Sequence, residues 1–311
     1  MVDLAVIPRA PVLAASDPVR VAARAVVRFH LHALTRLEGG ARAGEVAATH
    51  QLRVATRRLR AALRLFGPVL SPRFAEAAGR DLGWVGQAIG AVRDLDVLAA
   101  TVKARAERLD PQLRSALGPV GVAIHEQRLI ALGDLVRTLD SARCRQLLAR
   151  LARFADTPAR PERDRAIADC APALVHPLVR AAVRAGRRLD ADSTPAQLHR
   201  LRVRIKRLRY ALETLAFAGK SVRRARVELE RLQDLFGAHQ DAIAGTTWLW
   251  RYTRAADGDP RAMLPVGALV QALTKRAAKT RRRALKAWRK VVRSGLLDEL
   301  DTASPALRET A

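Results

Sequence analysis

THQLRVATRRLRAALRLF, the segment from Thr49 to Phe66, carries two different stripes at helical spacing. Its cations recur at intervals of three, four, three and four residues, so at about 100° per residue they share one arc of a helix. Its apolar residues fall on the opposite arc, which predicts an amphipathic helix with a core face and a straight row of charge. These cations, here named the first-half row, are His50, Arg53, Arg57, Arg60 and Arg64.

A second segment, LHRLRVRIKRLRYALETL from Leu198 to Leu215, repeats this arrangement. A match in both spacing and residue type predicts an internal duplication. The alignment places His50 on His199, Arg53 on Arg202, Arg57 on Lys206, Arg58 on Arg207, and Arg60 on Arg209. The cations that we name the second-half row are His199, Arg202, Lys206 and Arg209.

The repeat continues downstream of both rows. LGWVGQAIGAVRDLDVL, from Leu82, resembles ELERLQDLFGAHQDAIA, from Glu228, and HEQRLIAL, from His125, weakly resembles TRRRALKA, from Thr280. Gly90 falls on Gly237, and Asp94 on Asp241. We therefore expect two homologous halves, 17–155 and 172–295, within one domain spanning 17–295. A polar, proline-bearing stretch links the halves, and 1–16 and 296–311 are expected to be tails.

Composition and caps favour an all-α fold. The apolar residues are mostly Ala, Leu and Val, and aromatic residues make only 4% of the chain, which suits helices better than strands. Thr194, Pro195 and Gln197 form a capping-box start for one helix. Four helices in each half suggest two four-helix bundles related by a pseudo-twofold. The expected helices lie near 17–37, 45–66, 73–106, 112–154 (interrupted), 173–190, 195–217, 221–255 and 264–293.

The charge balance predicts an anionic partner. The formal net charge is +26, from 56 Lys+Arg against 30 Asp+Glu, and such an excess repels itself in a compact state. Most cations are arginine, whose planar fork fits phosphate oxygens in pairs. A GC-rich genome would explain arginine over lysine, but not the net charge. Further cations recur at helical spacing outside the two rows: Arg20, Arg24, Arg28, His176, Arg180, Arg184, Arg281, Arg282, Arg283, Lys286, Arg289, Lys290 and Arg293.

Ordinary solvated helix faces are the alternative explanation of these rows. Like charges about 5 Å apart along a helix repel each other, and a solvated surface normally intersperses opposite charges. Few acids stand on either row. Two such rows at matching positions of a repeat favour a binding surface.

The paired motif resembles the CHAD domain, the conserved histidine α-helical domain. The resemblance rests on H-x-x-R-V-x-x-R-R-L-R from His50, on the R-D-x-D of Arg93–Asp96, and on H-x-L-R-x-x-x-K-R-L-R-Y from His199. It covers about residues 17–295 and implies two helical bundles around a basic groove or pore that binds inorganic polyphosphate. One departure is that His239 and Gln240 replace Val92 and Arg93 in the second half. The motif positions carried over are His50, Arg53, Arg57, Arg58, Arg60, His199, Arg202, Lys206, Arg207, Arg209 and Tyr210.

Long-chain polyphosphate is therefore the expected partner. Other phosphate or sulfate polyanions are also compatible, and the alternative is a nucleic-acid or generic polyanion binder. No aromatic residue stands on either row, although single-stranded nucleic-acid binders usually stack bases. Duplex DNA would need an outward basic surface. The full set of expected ligands is Arg20, Arg24, Arg28, His50, Arg53, Arg57, Arg58, Arg60, Arg64, Arg180, Arg184, His199, Arg202, Lys206, Arg207, Arg209, Arg282, Lys286 and Arg289.

The two matched histidines leave three roles open. His50 and His199 can donate hydrogen bonds to phosphate as neutral rings, gain protons beside an anion, or pack at the helix start.

The sequence predicts binding without catalysis, metal or cofactor. AGKS at Ala218–Ser221 imitates the end of a P-loop, but Thr214 stands where that motif needs glycine. Asp94, Asp96 and Asp241 are the best candidates for a metal-assisted site, although pairing with nearby arginines explains them more simply.

Location is expected to be cytoplasmic, at polyphosphate granules. Cys144 and Cys170 form no metal or CxxC spacing, which fits a reducing compartment. The first 17 residues make a poor signal peptide, and no apolar run is long enough to span a bilayer.

Overall fold

Eleven helices account for the ordered secondary structure of the computed structural model, which describes residues 11–158, 164–217, 219–255 and 260–302. No strand occurs within those ranges, so the all-α prediction is confirmed. In order, the helices are α1 (Val19–Arg42), α2 (Val46–Phe66), α3 (Pro72–Ala106), α4 (Pro111–Ser115), α5 (Gly118–Asp140), α6 (Ala142–Asp156), α7 (Ile167–Gly186), α8 (Pro195–Thr214), α9 (Lys220–Ala255), α10 (Pro260–Arg293) and α11 (Leu296–Thr302).

Local signals explain several helix ends. The capping box of α8 is confirmed, because the Thr194 amide donates to Gln197 Oε1 at 2.6 Å and the Gln197 amide donates to Thr194 Oγ1 at 3.3 Å. The expected interruption of the fourth helix is also confirmed, and α4, α5 and α6 take its place. Ser141 ends α5 and caps α6, where its hydroxyl accepts from the Cys144 amide at 3.1 Å.

Two expected boundaries differ from the structure. Helix α7 begins at Ile167, before the expected start at 173, although Pro172 and Pro177 lie inside it. Ile167 and Ala171 are fully buried, and their burial outweighs the roughly 3 kcal/mol that an interior proline costs a helix. The segment after 295, expected to be a tail, begins with α11, whose three leucines pack into the core.

The apolar core consists of three clusters, two of which contain residues from both halves of the chain. The largest joins the start of α1 and the end of α2 to helices α7–α11. A second lies within α1, α2, α3, α5 and α6. The third joins α3 and α5 to α9 and α10. The two halves are therefore held together through buried apolar surface at two separate places.

Helices at equivalent places in the repeat contact each other. Contacts join α1 to α7, α2 to α8, and α3 to α9, and Pro18 pairs with Ala166 in an antiparallel bridge just before α1 and α7. A twofold axis between two halves produces contacts of this like-with-like kind. The pseudo-twofold pair of four-helix bundles remains a prediction that these contacts support. No helix in the described ranges is long and apolar enough to cross a membrane.

Candidate polyanion-binding site

The first-half and second-half rows approach each other where α2 contacts α8. The pKa of Lys206 is lowered to about 7, mainly because its amine is largely removed from water and also because Arg202 and Arg57 lie close. At the far end of α2, the pKa of Arg64 is lowered to about 10, first by partial removal from water and then by Arg60 and Arg207. Cations from both halves therefore crowd into one space.

Four arginines in this space have unused hydrogen-bond donors. The Nε atoms of Arg57, Arg60, Arg202 and Arg207 are buried and have no partner among the described residues. A buried donor without a partner costs about 1–3 kcal/mol. Two of these arginines lie on α2 and two on α8, so both facing helices carry buried donors that have no hydrogen-bond acceptor among the described residues.

Glycines on α3 make room for the guanidinium groups of the first-half row. The Arg53 guanidinium lies against Gly90, where an added Cβ would collide with it, and it donates to the Gly86 carbonyl at 3.4 Å. An added Cβ on Gly83 would lie 2.9 Å from Arg60 Nη2. The spacing of these glycines, three and four residues, puts them on one helix face. This spacing was the overlooked sequence signal for a surface on which the arginines lie.

The second-half row has different neighbours. Glu230 and Gln233 of α9 fall on Gly83 and Gly86 in the repeat. Arg209 donates to Gln233 Oε1 at 3.0 Å and lies 3.6 Å from the Glu230 carboxylate. Its charge thus has partners inside the protein, whereas the matching Arg60 keeps an unpartnered Nε.

A buried carboxylate joins α2 to α8. Glu213 accepts from Arg58 Nε at 3.1 Å and also pairs with Arg209. The side chains of Arg58 and Glu213 are only 13% and 3% exposed. Arg58 and Arg209 therefore have internal partners that the sequence prediction did not foresee. The Tyr210 ring lies below the Arg209 guanidinium, with 4.5 Å to its centroid, and its buried hydroxyl has no partner among the described residues.

The matched histidines have unequal surroundings. His50 is half-buried, and its pKa is lowered first by removal from water and then by Arg93 and Arg57. It is therefore neutral at neutral pH when no anion is bound. His199 is exposed. The structure favours a direct role among the cations for His50 more than for His199.

The expected ligands on α1, which lie outside the two rows, contact other helices. Arg24 Nε donates to the Phe154 carbonyl at 3.3 Å, Arg28 donates to the Ala155 carbonyl, and both carbonyls lie in the last turn of α6. Arg28 also lies 3.6 Å from Asp156. Such contacts satisfy the free carbonyls at a helix end. Arg20 is exposed, and its backbone amide donates to Asp164 at 2.8 Å.

The two expected ligands on α7, Arg180 and Arg184, are exposed. Arg180 lies 4.0 Å from Asp301 of α11, and Arg184 lines a shallow exposed cleft together with Arg187 and Arg188. The three expected ligands on α10, Arg282, Lys286 and Arg289, are also exposed. Their assignment as polyphosphate ligands remains a prediction, but the structure does not group them with the α2 and α8 rows.

The three aspartates considered for metal chemistry lie beside arginines. Asp94 is 3.5 Å from Arg53, and Asp96 accepts from Arg128 Nε at 2.6 Å. The pKa of Asp241 is raised, mainly by removal from water, although Arg202 opposes this shift. Within the described ranges, no three His, Cys, Asp or Glu side chains are grouped as metal ligands require.

Comparisons of the sequence and of the fold with known proteins point to one family. The CHAD domain family matches residues 25–250 of the chain. A crystal structure of the CHAD domain from the plant Ricinus communis has 26% identity and a TM-score of 0.72, covering 93% of this chain and 95% of that chain. PptA from Streptomyces chartreusis has the same fold at 19% identity, with a TM-score of 0.71, covering 88% of this chain and 100% of that chain. No curated protein matches the chain.

Proposed function

The chain belongs to the CHAD domain family, and from this premise we propose that it binds inorganic polyphosphate, without catalysis, between the first-half and second-half rows. Each half, 17–155 and 172–295, contributes one row to a shared groove. Non-catalytic use of the site fits the neighbours of its aspartates, which are arginines. The proposal places the protein in the cytoplasm at polyphosphate granules.

The unpartnered Nε donors carry this proposal. Arg57 and Arg60 on α2 and Arg202 and Arg207 on α8 bury these donors without internal acceptors. An anion between the helices would accept from them and would oppose the removal from water and the nearby positive charges that together lower the pKa of Lys206. Charge-assisted hydrogen bonds to phosphate are among the stronger polar contacts in proteins.

The shape of the space favours a thin, flexible polymer. Most cations of the two rows, such as Arg57, Arg60 and Arg202, are half-buried on two contacting helices, so a ligand that reaches them enters between the helices. Polyphosphate is densely charged and has no bases to accommodate. The Tyr210 ring, which contacts Arg209 of the second-half row, is buried and offers no stacking platform for a base.

Calorimetric titration with polyphosphate of defined length tests the proposal. At about 0.15 M salt, exposed charges are screened beyond about 8 Å, so binding reports the facing rows. The double variant Arg57→Glu with Lys206→Glu is expected to lose at least 100-fold in affinity while circular dichroism shows unchanged helix content. Wild-type affinity in this variant would overturn the proposal.

A matched control distinguishes the loss of cations at the site from a general change in the net charge of the protein. Arg73 and Arg223 are exposed near the starts of α3 and α9, and Arg73→Glu with Arg223→Glu changes the net charge equally. This control should retain polyphosphate affinity within about threefold. An equal loss in both double variants would show that general surface charge, not the facing rows, binds the polymer.

A further inference from the structure

A third row of cations runs along the outer face of α10. Lys275, Lys279, Arg282, Lys286, Arg289 and Arg293 follow spacings of four, three, four, three and four, and all are exposed. The buried residues of the same helix, such as Ala284, Trp288 and Val291, lie about 180° around the helix from this row. The row, here named the outer row, therefore points to solvent over roughly 27 Å.

Neither the repeat nor a general arginine bias explains the outer row. Helix α10 has no Asp or Glu over its whole length. The aligned stretch of the first half, 120–138 on α5, contains the acids Glu126 and Asp134, and Asp134 pairs with Arg137. The cations on α10 are thus a property of the second half alone.

The outer row borders an open basic cleft between α9 and α10. This cleft has a volume of about 1100 Å³, and its lining includes Arg231, Arg283 and Lys290 together with one acid, Glu228. Backbone phosphates next to the outer row would meet these additional cations. The cleft and the row together make one positively charged surface wider than a single helix.

The rigidity and exposure of this surface favour duplex nucleic acid over other polyanions. A duplex offers one charge per about 1.7 Å of its axis, or roughly 16 charges along the outer row, already held straight. A flexible polymer would lose conformational freedom to follow the row and would gain no enclosing walls. A membrane surface would favour interleaved apolar side chains, but Val292 is the only large apolar residue between 275 and 293 with substantial exposure.

We propose that the outer row and its cleft bind the backbone of duplex nucleic acid without sequence preference, independently of the groove between α2 and α8. The protein would then hold polyphosphate and a duplex at the same time, on different helices. Because the outer row shares no side chain with the first-half and second-half rows, each surface can be removed by substitution while the other remains.

Fluorescence anisotropy with a labelled, mixed-sequence DNA duplex of about 20 base pairs tests this inference at about 0.15 M salt. The triple variant Lys275→Gln, Lys279→Gln and Lys290→Gln is expected to lose at least tenfold in duplex affinity. Its slope of log affinity against log salt should fall by about 2.7, which is 0.9 for each phosphate that the variant no longer neutralises. Its polyphosphate affinity should change by less than about threefold.

Two controls keep the outcomes distinct. The triple variant Arg73→Gln, Lys103→Gln and Arg223→Gln removes the same charge from exposed sites elsewhere and should retain duplex binding. Wild-type protein saturated with polyphosphate should still bind the duplex, as measured by co-elution of all three components. Displacement of the duplex by polyphosphate, or an unchanged duplex affinity in the α10 variant, would overturn the inference. Duplex binding without polyphosphate binding would instead overturn only the proposed function.

Discussion

At the scale of single residues, the site is defined by polar atoms that the fold leaves without partners. Buried guanidinium donors and a lysine with a lowered pKa are unfavourable for an isolated protein. They are tolerated because the apolar faces of α2 and α8 are fully packed beneath them, with Leu59 and Ile205 completely buried. Stability comes from one face of each helix, and ligand binding is assigned to the other.

The protonation of Lys206 should be coupled to polyphosphate binding. Its pKa is about 7 in the unbound protein, and an anion bound beside it would raise that pKa, so above pH 7 binding should take up a proton. Affinity should be highest below pH 7 and fall as the pH rises through 7 to the pKa of the complex. Calorimetry at pH 8 in buffers with different ionisation enthalpies measures this uptake.

Lys206→Gln should remove most of the uptake, whereas His50→Gln should leave it largely intact at pH 8. Equal proton uptake in wild-type protein and Lys206→Gln would assign the coupling to another group.

Gly90→Ala should weaken binding without unfolding the protein. The added methyl group would displace the Arg53 guanidinium from its position on α3. The side chain can swing away, and alanine favours a helix interior by about 0.5–1 kcal/mol over glycine. We expect unchanged or higher thermal stability and a 3- to 30-fold loss of polyphosphate affinity by calorimetry.

Gly121→Ala is the matched control, because an added Cβ there meets nothing within 4 Å in α5. It should leave affinity unchanged. If Gly90→Ala also leaves affinity unchanged, the position of Arg53 on α3 does not matter for binding.

At the scale of helices, matched cations of the two repeats differ in their internal partners. In the first half, glycines on α3 leave Arg60 with an unused donor. In the second, Gln233 and Glu230 of α9 engage Arg209, and the buried Glu213 ties it to Arg58 across the helix contact. Breaking a buried ion pair by removing one partner typically costs about 3–5 kcal/mol. At this matched position, Arg60 keeps an unpartnered donor for the proposed ligand, whereas Arg209 is engaged by partners inside the protein.

Substitution of Arg60 should mainly lower polyphosphate affinity, whereas substitution of the matched Arg209 should mainly lower stability. Arg60→Gln should lower polyphosphate affinity about tenfold and leave the free energy of unfolding within about 0.5 kcal/mol, because no internal partner is lost. Arg209→Gln should lower the free energy of unfolding by about 3 kcal/mol, because it leaves Glu213 short of a partner. Urea denaturation and calorimetry measure the two quantities. Similar effects of both substitutions would contradict the divergence of the halves.

At the scale of the whole molecule, binding depends on how many cations one ligand can reach together. The first-half row, from His50 to Arg64, spans roughly 21 Å, and the second-half row faces it. Each additional phosphate meets further cations only while the polymer remains within that span. The outer row belongs to α10, which packs mainly on α9, and it is not counted in that span.

Affinity should therefore rise with polyphosphate length and then level off. Once the polyphosphate polymer spans the facing rows, further length should add only a statistical gain, because a longer polymer can bind in more registers. Below that length, log affinity should fall more steeply with log salt as each phosphate is added, because each phosphate that is neutralised releases counterions. Titration of a length series at two salt concentrations tests this. A steep rise that continues far beyond the row length would point to binding along the outside of the protein.

The sequence by itself determined the helices, the duplication and the two rows of cations. These features depend on residue spacing along one chain, and a helix converts such spacing directly into faces. The all-α fold, predicted from composition and caps, and the family resemblance, carried by the paired motifs, are both confirmed. The helix boundaries at 167 and 296 were missed, because tertiary burial of Ile167 and Leu296 outweighs the local signals.

Only the tertiary structure decided which cations have internal partners. Arg58 and Glu213 are 155 residues apart in sequence and meet because α2 packs on α8. The cations on α1, α7 and α10 also recur at helical spacing, yet they contact α6, α11 or solvent. Spacing shows that cations share a face of a helix. What that face meets depends on packing between distant segments, and for this reason the sequence could predict the rows but not their division into a facing pair and an outer surface.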